Sequence, residues 1–138
     1  LCVRRLSGSQ EMTLIEKARE AMQGAYSPYS GVKVGAAIMA EDGTIYSGAN
    51  VENSSYGLTI CAERTAAFKA VNSGARKFRA VAIAMNMEGM AYPCGACRQV
   101  LAEFSPEMIV ILCDRKGRVE RHHLEALLKY PFKLRPPS

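Results

Sequence analysis

Four residues in two short stretches carry the groups most able to do chemistry. Cys61-Ala62-Glu63-Arg64 places a thiol and a carboxyl two residues apart, and Pro93-Cys94-Gly95-Ala96-Cys97-Arg98 adds two thiols in a Cys-x-x-Cys spacing. Three thiolates suit a tetrahedral zinc ion whose fourth position is left to water, the pattern of a catalytic rather than a structural site. Each stretch sits where a helix is predicted to begin. There the unpaired N–H groups and the helix dipole favour a thiolate. Cys61, Cys94 and Cys97 are therefore the expected ligands. Glu63 is the expected general acid and base, taking a proton from activated water and delivering it to a substrate.

Three thiolates outweigh the charge of one zinc ion, which works against lowering the pKa of a bound water. Arg64 and Arg98, beside the ligands, are expected to offset this by donating hydrogen bonds to the sulfurs. Either motif alone is weak evidence, because a Cys-x-x-Cys also serves as a redox pair or as helix-start packing. Their combination is much more specific. A structural four-cysteine module would need one more thiolate. Cys113 lies in an apolar run and reads as core packing, Cys2 as an incidental thiol, and His122 and His123 as strand-end surface residues.

The elements that must position these groups follow from periodicity and turn chemistry. Thr13-x-x-Glu16 is a capping-box pattern, and Leu14, Ala18 and Met22 share one face, so the spacing predicts a helix from Thr13 to about Ala25. Residues 1–12 read as an N-terminal tail, and residues 13–138 as one catalytic domain. Val34–Ala40 is a nearly continuous apolar strand, Asp42-Gly43 a hairpin turn, and Ile45–Val51 the returning strand. An Ala-rich helix from Ala62 to about Ser73 is closed by Gly74. Strand 80–85, helix 94–104, strand 109–113, a short strand 118–122 and a short helix 124–128 complete the chain. The order α-β-β-α-β-α-β-β-α implies an α/β fold: a three-layer α/β/α arrangement around a mixed five-stranded sheet.

Composition narrows the function. The chain has 138 residues, enough for one domain with a real core, and no apolar run is long enough to span a membrane. The net charge of +5 comes without an aromatic-interleaved basic stripe, so nucleic acid is not an expected partner. Five cysteines, an odd number, and no leader-like hydrophobic region favour a reducing, cytoplasmic compartment over a disulfide framework.

The stretches Ala25-Tyr26-Ser27-Pro28-Tyr29-Ser30, Val34-Gly35-Ala36-Ala37, Asn50-Val51-Glu52-Asn53, Cys61 to Ala66 and Pro93 to Val100 together resemble the cytidine deaminases, in their small-subunit homotetrameric class. The resemblance covers about residues 13–132. It implies that one zinc per subunit is held by Cys61, Cys94 and Cys97, and that Glu63 moves protons to ring N3 and then to the departing amino group. It also implies that Ala62 meets the base through its backbone and that Asn50 and Glu52 hold the ribose 3′-hydroxyl. Ser54 and Tyr56 would reach a neighbouring subunit's site, and Phe132 would stack over a base in a neighbour. The implied reaction converts cytidine and 2′-deoxycytidine to the uridine forms plus ammonia, a step of pyrimidine salvage.

One position departs from the pattern. Val32 stands where the family usually has an aromatic that lines the nucleoside site, which implies a roomier wall. Deamination of a modified cytidine, or of a cytosine nucleoside antibiotic such as blasticidin S, is the alternative within the same chemistry. Nucleic-acid editors usually place histidine at the first ligand in a His-x-Glu pattern, which Cys61 does not match. A non-catalytic zinc-stabilised domain would give no reason for Glu63 beside an open coordination position.

Overall fold

The computed structural model describes residues 6–134. Cys2 lies outside them. Five strands form one sheet in the order β2-β1-β3-β4-β5: β1 (Val34–Ala40), β2 (Ile45–Ala49), β3 (Phe78–Met85), β4 (Ile109–Cys113) and β5 (Val119–His123). All neighbours are antiparallel except β3 and β4, which run parallel, with Ala82 opposite Ile111. The sheet is therefore mixed, as the element order implies.

Side chains alternate across the sheet, and each face has its own core. Ala36, Ile38, Val81, Ile83, Val110 and Leu112 face the helices α2 (Ala62–Asn72), α3 (Gly95–Phe104) and α4 (Leu124–Leu127). Ala37, Met39, Ala80, Ala82, Ala84 and Ile111 face α1 (Gly8–Ala21). The second set is rich in alanine, so α1 can lie close to the strands. Closest of all is Gly35 on β1, where an added Cβ would sit 2.0 Å from the Ala18 carbonyl oxygen. Gly48 on β2 plays the same part for α2: an added Cβ would lie 2.6 Å from the Ala66 amide nitrogen. These two glycines set the height of a helix above each face, and Gly48 thereby sets the height of Cys61 and Glu63.

The N-terminal boundary differs from the expected one. Helix α1 begins at Gly8, not Thr13. Ser7 is its cap: the Ser7 hydroxyl accepts from the Gln10 amide at 3.1 Å, and the Gln10 side chain accepts from the Ser7 amide at 3.0 Å. Thr13 lies inside the helix and donates its hydroxyl proton to the Ser9 carbonyl. Two contacts favour the earlier start. Leu6 packs on the α1-side core, and Glu11 pairs with Arg121 of β5, with Arg121 Nε 2.7 Å from the carboxylate. Residues 8–12 are thus part of the folded unit, not of a tail. The helix also ends earlier, at Ala21, followed by a single 3-10 turn over Met22–Gly24.

The other elements lie close to expectation. Asp42-Gly43 turns the first hairpin, with Gly43 at φ 91° and the Asp42 carboxylate accepting from the Thr44 amide. Gly74, at φ 103°, follows the C-cap of α2. Strand β3 starts at Phe78 because the Phe78 amide donates to the fully buried Ser105 hydroxyl at the end of α3. Cys113 is buried in β4, its thiol directed at the Ile83 carbonyl, and serves the core. His122 and His123 end β5.

Candidate metal and catalytic site

Helices α2 and α3 bring their N-termini together, and the chemistry gathers there. Cys61 is the N-cap of α2 and Cys94 the N-cap of α3. Both have extended backbones, and neither sulfur caps its own helix, so both remain free for another partner. Cys97 lies one turn into α3 and is fully buried. The Cys61 and Cys94 sulfurs are 3.8 Å apart and those of Cys94 and Cys97 3.5 Å, and all three lie within 4.8 Å of one another. Zinc–sulfur bonds of about 2.3 Å in tetrahedral geometry put sulfurs about 3.8 Å apart. The donor set and its spacing therefore fit zinc.

Charge around the sulfurs favours a thiolate at Cys61. The Arg64 guanidinium donates to Cys61 Sγ at 3.4 Å, while its buried Nε has no partner among the described residues. The Cys61 thiol is pulled down to about 5, by a hydrogen bond from the Cys97 thiol and then by Arg64 and Cys94. Cys97 moves the other way, because the Cys61 thiolate holds its proton and burial opposes its charge. Within the cluster a negative charge thus forms most easily at Cys61.

Glu63 follows one residue into α2, and only 4% of it is exposed. Burial pushes its carboxyl from 4.5 up to about 7, and the negative Cys61 sulfur adds to the rise. A carboxyl poised near neutrality, next to three convergent sulfurs, is suited to take and return a proton.

Arg98 does not join this cluster as expected. Its Nε donates to the Pro93 carbonyl at 2.8 Å and its Nη1 to the Leu127 carbonyl at 2.8 Å. It ties the ligand loop to α4 rather than touching a sulfur. The partner it prefers lies 29 residues along the chain, beyond the reach of local sequence reading.

The remaining expected residues fall into two groups. Asn50 and Glu52 lie beside the segment that leads into β1. The Asn50 side chain accepts from the Val34 amide at 2.9 Å and donates to the Val32 carbonyl at 2.8 Å, which still leaves one amide proton. Glu52 accepts from the Tyr29 and Ser30 amides and from the Ser30 hydroxyl, and these bonds, the hydroxyl foremost, hold its carboxylate below the usual range. Val32 is half-buried between these two anchors, its amide on the Ser30 hydroxyl and its carbonyl on Asn50. Ala62, next to Cys61, is fully buried.

Ser54, Tyr56 and Phe132 lie instead on the surface. The Ser54 hydroxyl meets Tyr29 OH at 2.5 Å, and the Tyr56 ring stands edge-on to the Tyr29 ring at 6.4 Å. Tyr56 is 79% exposed and Phe132 68%. Tyr29, Ser30, Glu52, Asn53, Tyr56 and Thr59 line an open cleft of about 380 Å³. No role was expected of Ser30 or Asn86. Ser30 fixes Glu52, and Asn86 grips both Lys33 and Gly31 through its side-chain amide. For Asn86 the sequence offers no signal, since its partners lie more than 50 residues away.

Three sulfurs at two helix starts, a buried carboxyl beside them and a mixed sheet beneath define a zinc hydrolase site of the deaminase type. The model of the cytidine and deoxycytidylate deaminase zinc-binding region matches residues 8–113. A cytidine deaminase of Sporosarcina psychrophila is 52% identical over 120 residues, covering 86% of this chain and 88% of that protein. The crystal structure of cytidine deaminase from Burkholderia pseudomallei superposes with a TM-score of 0.85 at 44% identity, covering 92% of this chain and all of that one. A blasticidin-S deaminase of Bacillus cereus is more distant, at 28% over 131 residues. The chain belongs to the cytidine and deoxycytidylate deaminase family, and its metal is zinc.

Proposed function

We propose that the chain hydrolyses cytidine and 2′-deoxycytidine to uridine and 2′-deoxyuridine, releasing ammonia. The observation that carries this reading is the buried Glu63 carboxyl, poised near neutrality beside the three-sulfur cluster. Cys61, Cys94 and Cys97 would hold the zinc, which when bound would supply the Lewis acidity that makes water a nucleophile at neutral pH. Glu63 takes the proton that this water loses and gives it to ring N3, which makes C4 electrophilic. The water oxygen bonds to C4, and the second proton, lost from the new C4 hydroxyl, passes through the same carboxyl to the amino nitrogen. The C4–N bond then breaks, ammonia leaves and the C4 carbonyl of uridine remains. Arg64 keeps the Cys61 sulfur anionic throughout, and the Ala62 backbone borders the base.

Asn50 and Glu52 receive the ribose 3′-hydroxyl. Glu52 is held by the Tyr29–Ser30 turn and Asn50 by the backbone on either side of Lys33, so both are fixed before substrate arrives. The test is direct. Purified zinc-loaded protein is mixed with cytidine and the ultraviolet absorbance of the base is followed. Loss of the cytosine band with stoichiometric ammonia supports the reading; a zinc-replete protein that leaves the band unchanged refutes it.

The surface residues support a homotetramer with shared sites. Tyr26, Tyr29, Val51, Tyr56 and Leu58 are all exposed, Leu58 to 70%, and Tyr29 and Tyr56 line the cleft. Ser54, Tyr56 and Phe132 act from this surface in a neighbour's site. Sedimentation equilibrium is expected to give the mass of four chains, and a monomer at micromolar concentration would overturn it. No helix among the described residues is long and apolar enough to cross a membrane. A cytoplasmic place in pyrimidine salvage fits the reduced cysteines.

Val32 adjusts specificity. It is a small side chain between the two sugar anchors, and Val32→Phe is expected to narrow the site. The ratio of kcat/KM for cytidine to that for 5- or N4-substituted cytidines should rise roughly tenfold, the range set by a few methylene-sized contacts. An unchanged ratio would remove Val32 from the site.

A further inference from the structure

Among the described residues, the C-terminal segment Lys129–Leu134 takes part in hydrogen bonds at one residue only, Phe132, and with one partner only, Gln99. Gln99 lies on α3, two residues after Cys97. Its Nε2 donates to the Phe132 carbonyl at 2.9 Å, and its Oε1 accepts from the Phe132 amide at 3.0 Å. The side-chain amide thus satisfies both backbone groups of one residue, as a neighbouring strand would. Apolar burial does not fix the segment. Tyr130 is 91% exposed, Phe132 68% and Leu134 80%. The neighbouring Arg98 grips the Leu127 carbonyl just upstream. Consecutive residues of α3 therefore fasten the chain end to the helix whose first turn holds Cys97.

An exposed aromatic held by its backbone alone is a presented side chain. We infer that Gln99 is a positioning residue: its amide sets the path of the C-terminal strap so that the Phe132 ring points away from its own subunit into the nucleoside cleft of a second copy. This rests on the reading of Phe132 given above. The occupant is a second copy because the segment carries three large apolar side chains that its own subunit leaves uncovered, and the cleft it would serve is rimmed by exposed Tyr29 and Tyr56. The arrangement also explains why a glutamine follows the ligand motif. An aliphatic residue could not satisfy the strap, and a glutamate would set a carboxylate against the Phe132 carbonyl.

Gln99→Ala, Gln99→Glu and Phe132→Ala are compared with the parent as zinc-loaded full chains. Limited trypsin digestion read by mass reports on Lys129 and Lys133. Gln99 is half-buried on the helix surface, and Gln99→Glu keeps its shape, so folding survives in at least one variant. Loss of two ordinary hydrogen bonds predicts cleavage at these lysines roughly tenfold faster. The KM for cytidine should rise as it does in Phe132→Ala, with kcat within about twofold of the parent. Parental cleavage rates would overturn the clamp. Faster cleavage with a parental KM, while Phe132→Ala raises KM, would overturn the positioning role. A parental KM in Phe132→Ala would overturn the reading of Phe132 instead.

Discussion

Glu63→Ala is expected to retain zinc and to lose cytidine turnover by roughly 10³- to 10⁴-fold, the scale of a general acid–base removed from its site. Metal content, measured beside the absorbance assay, separates loss of the proton carrier from loss of the ion. A variant that keeps zinc and stays within tenfold of the parent would take Glu63 out of the mechanism. The same residue predicts an opposite effect on stability. Its carboxyl lies near 7 in the folded, metal-free protein and near 4.5 when exposed, chiefly through burial. Between these values the folded chain holds a proton that the unfolded chain has released. Folding stability therefore falls as pH rises from about 4.5 to about 7, and above that Glu63 costs up to about 3 kcal/mol. Glu63→Gln removes this cost. Zinc-free Glu63→Gln should melt above the zinc-free parent at pH 8, with the gap closing toward pH 5. Thermal melts at the two pH values check it, and a gap independent of pH would contradict the buried, neutral carboxyl. The residue proposed to carry the proton is thus also one the fold tolerates at a loss.

Gly35→Ala is the second change with a large expected effect. The new Cβ would lie 2.0 Å from the Ala18 carbonyl oxygen and 2.7 Å from the Met22 amide nitrogen. Both are backbone atoms of the α1 C-terminal turn and cannot turn aside as a side chain would. The helix must lift off the sheet, breaking contacts of Leu14, Ile15 and Ala18 with the alanine-lined face. Overpacking against backbone predicts a loss of about 3 kcal/mol or more, and a melting temperature lower by roughly 10 °C. Gly8→Ala is the control. Nothing lies within 4 Å of its added Cβ, and it sits in the first turn of the same helix, so stability should hold or rise slightly. Equal melting temperatures for Gly35→Ala and the parent would mean that α1 and β1 are further apart than described.

What the sequence made legible was whatever depends on near neighbours. The run Val34–Ala40 matches β1 at both ends, because apolar content, β propensity and the Asp42-Gly43 turn agree there. The two cysteine motifs fall at helix starts, where residue type and local dipole coincide. Distant partners were not legible. Ser7-x-x-Gln10 and Thr13-x-x-Glu16 are equally good local caps, and the choice is made by Leu6 in the core and by Arg121 on the far edge strand. Arg98 resembles Arg64 in sequence context, yet the Leu127 carbonyl claims it. Asn50 was expected at a sugar hydroxyl, and its side chain also ties Val32 and Val34 together. That architectural role is one which only the folded geometry reveals.

The zinc ligands come from two segments separated by 33 residues, with β3 between them in the chain. On a ribosome, Cys61 emerges while Cys94 and Cys97 are still to be made, and β3, which joins β1 to β4, has not yet paired. For that interval Cys61 is a lone thiol without the converging sulfurs that make it a strong ligand. Complete metal capture therefore has to follow translation of the second motif, while β4 and β5 are made later still. An ion bound at both motifs ties the start of α2 to the start of α3, and its binding energy adds to the stability of the fold. Zinc removal is therefore expected to lower the melting temperature as well as to silence the site.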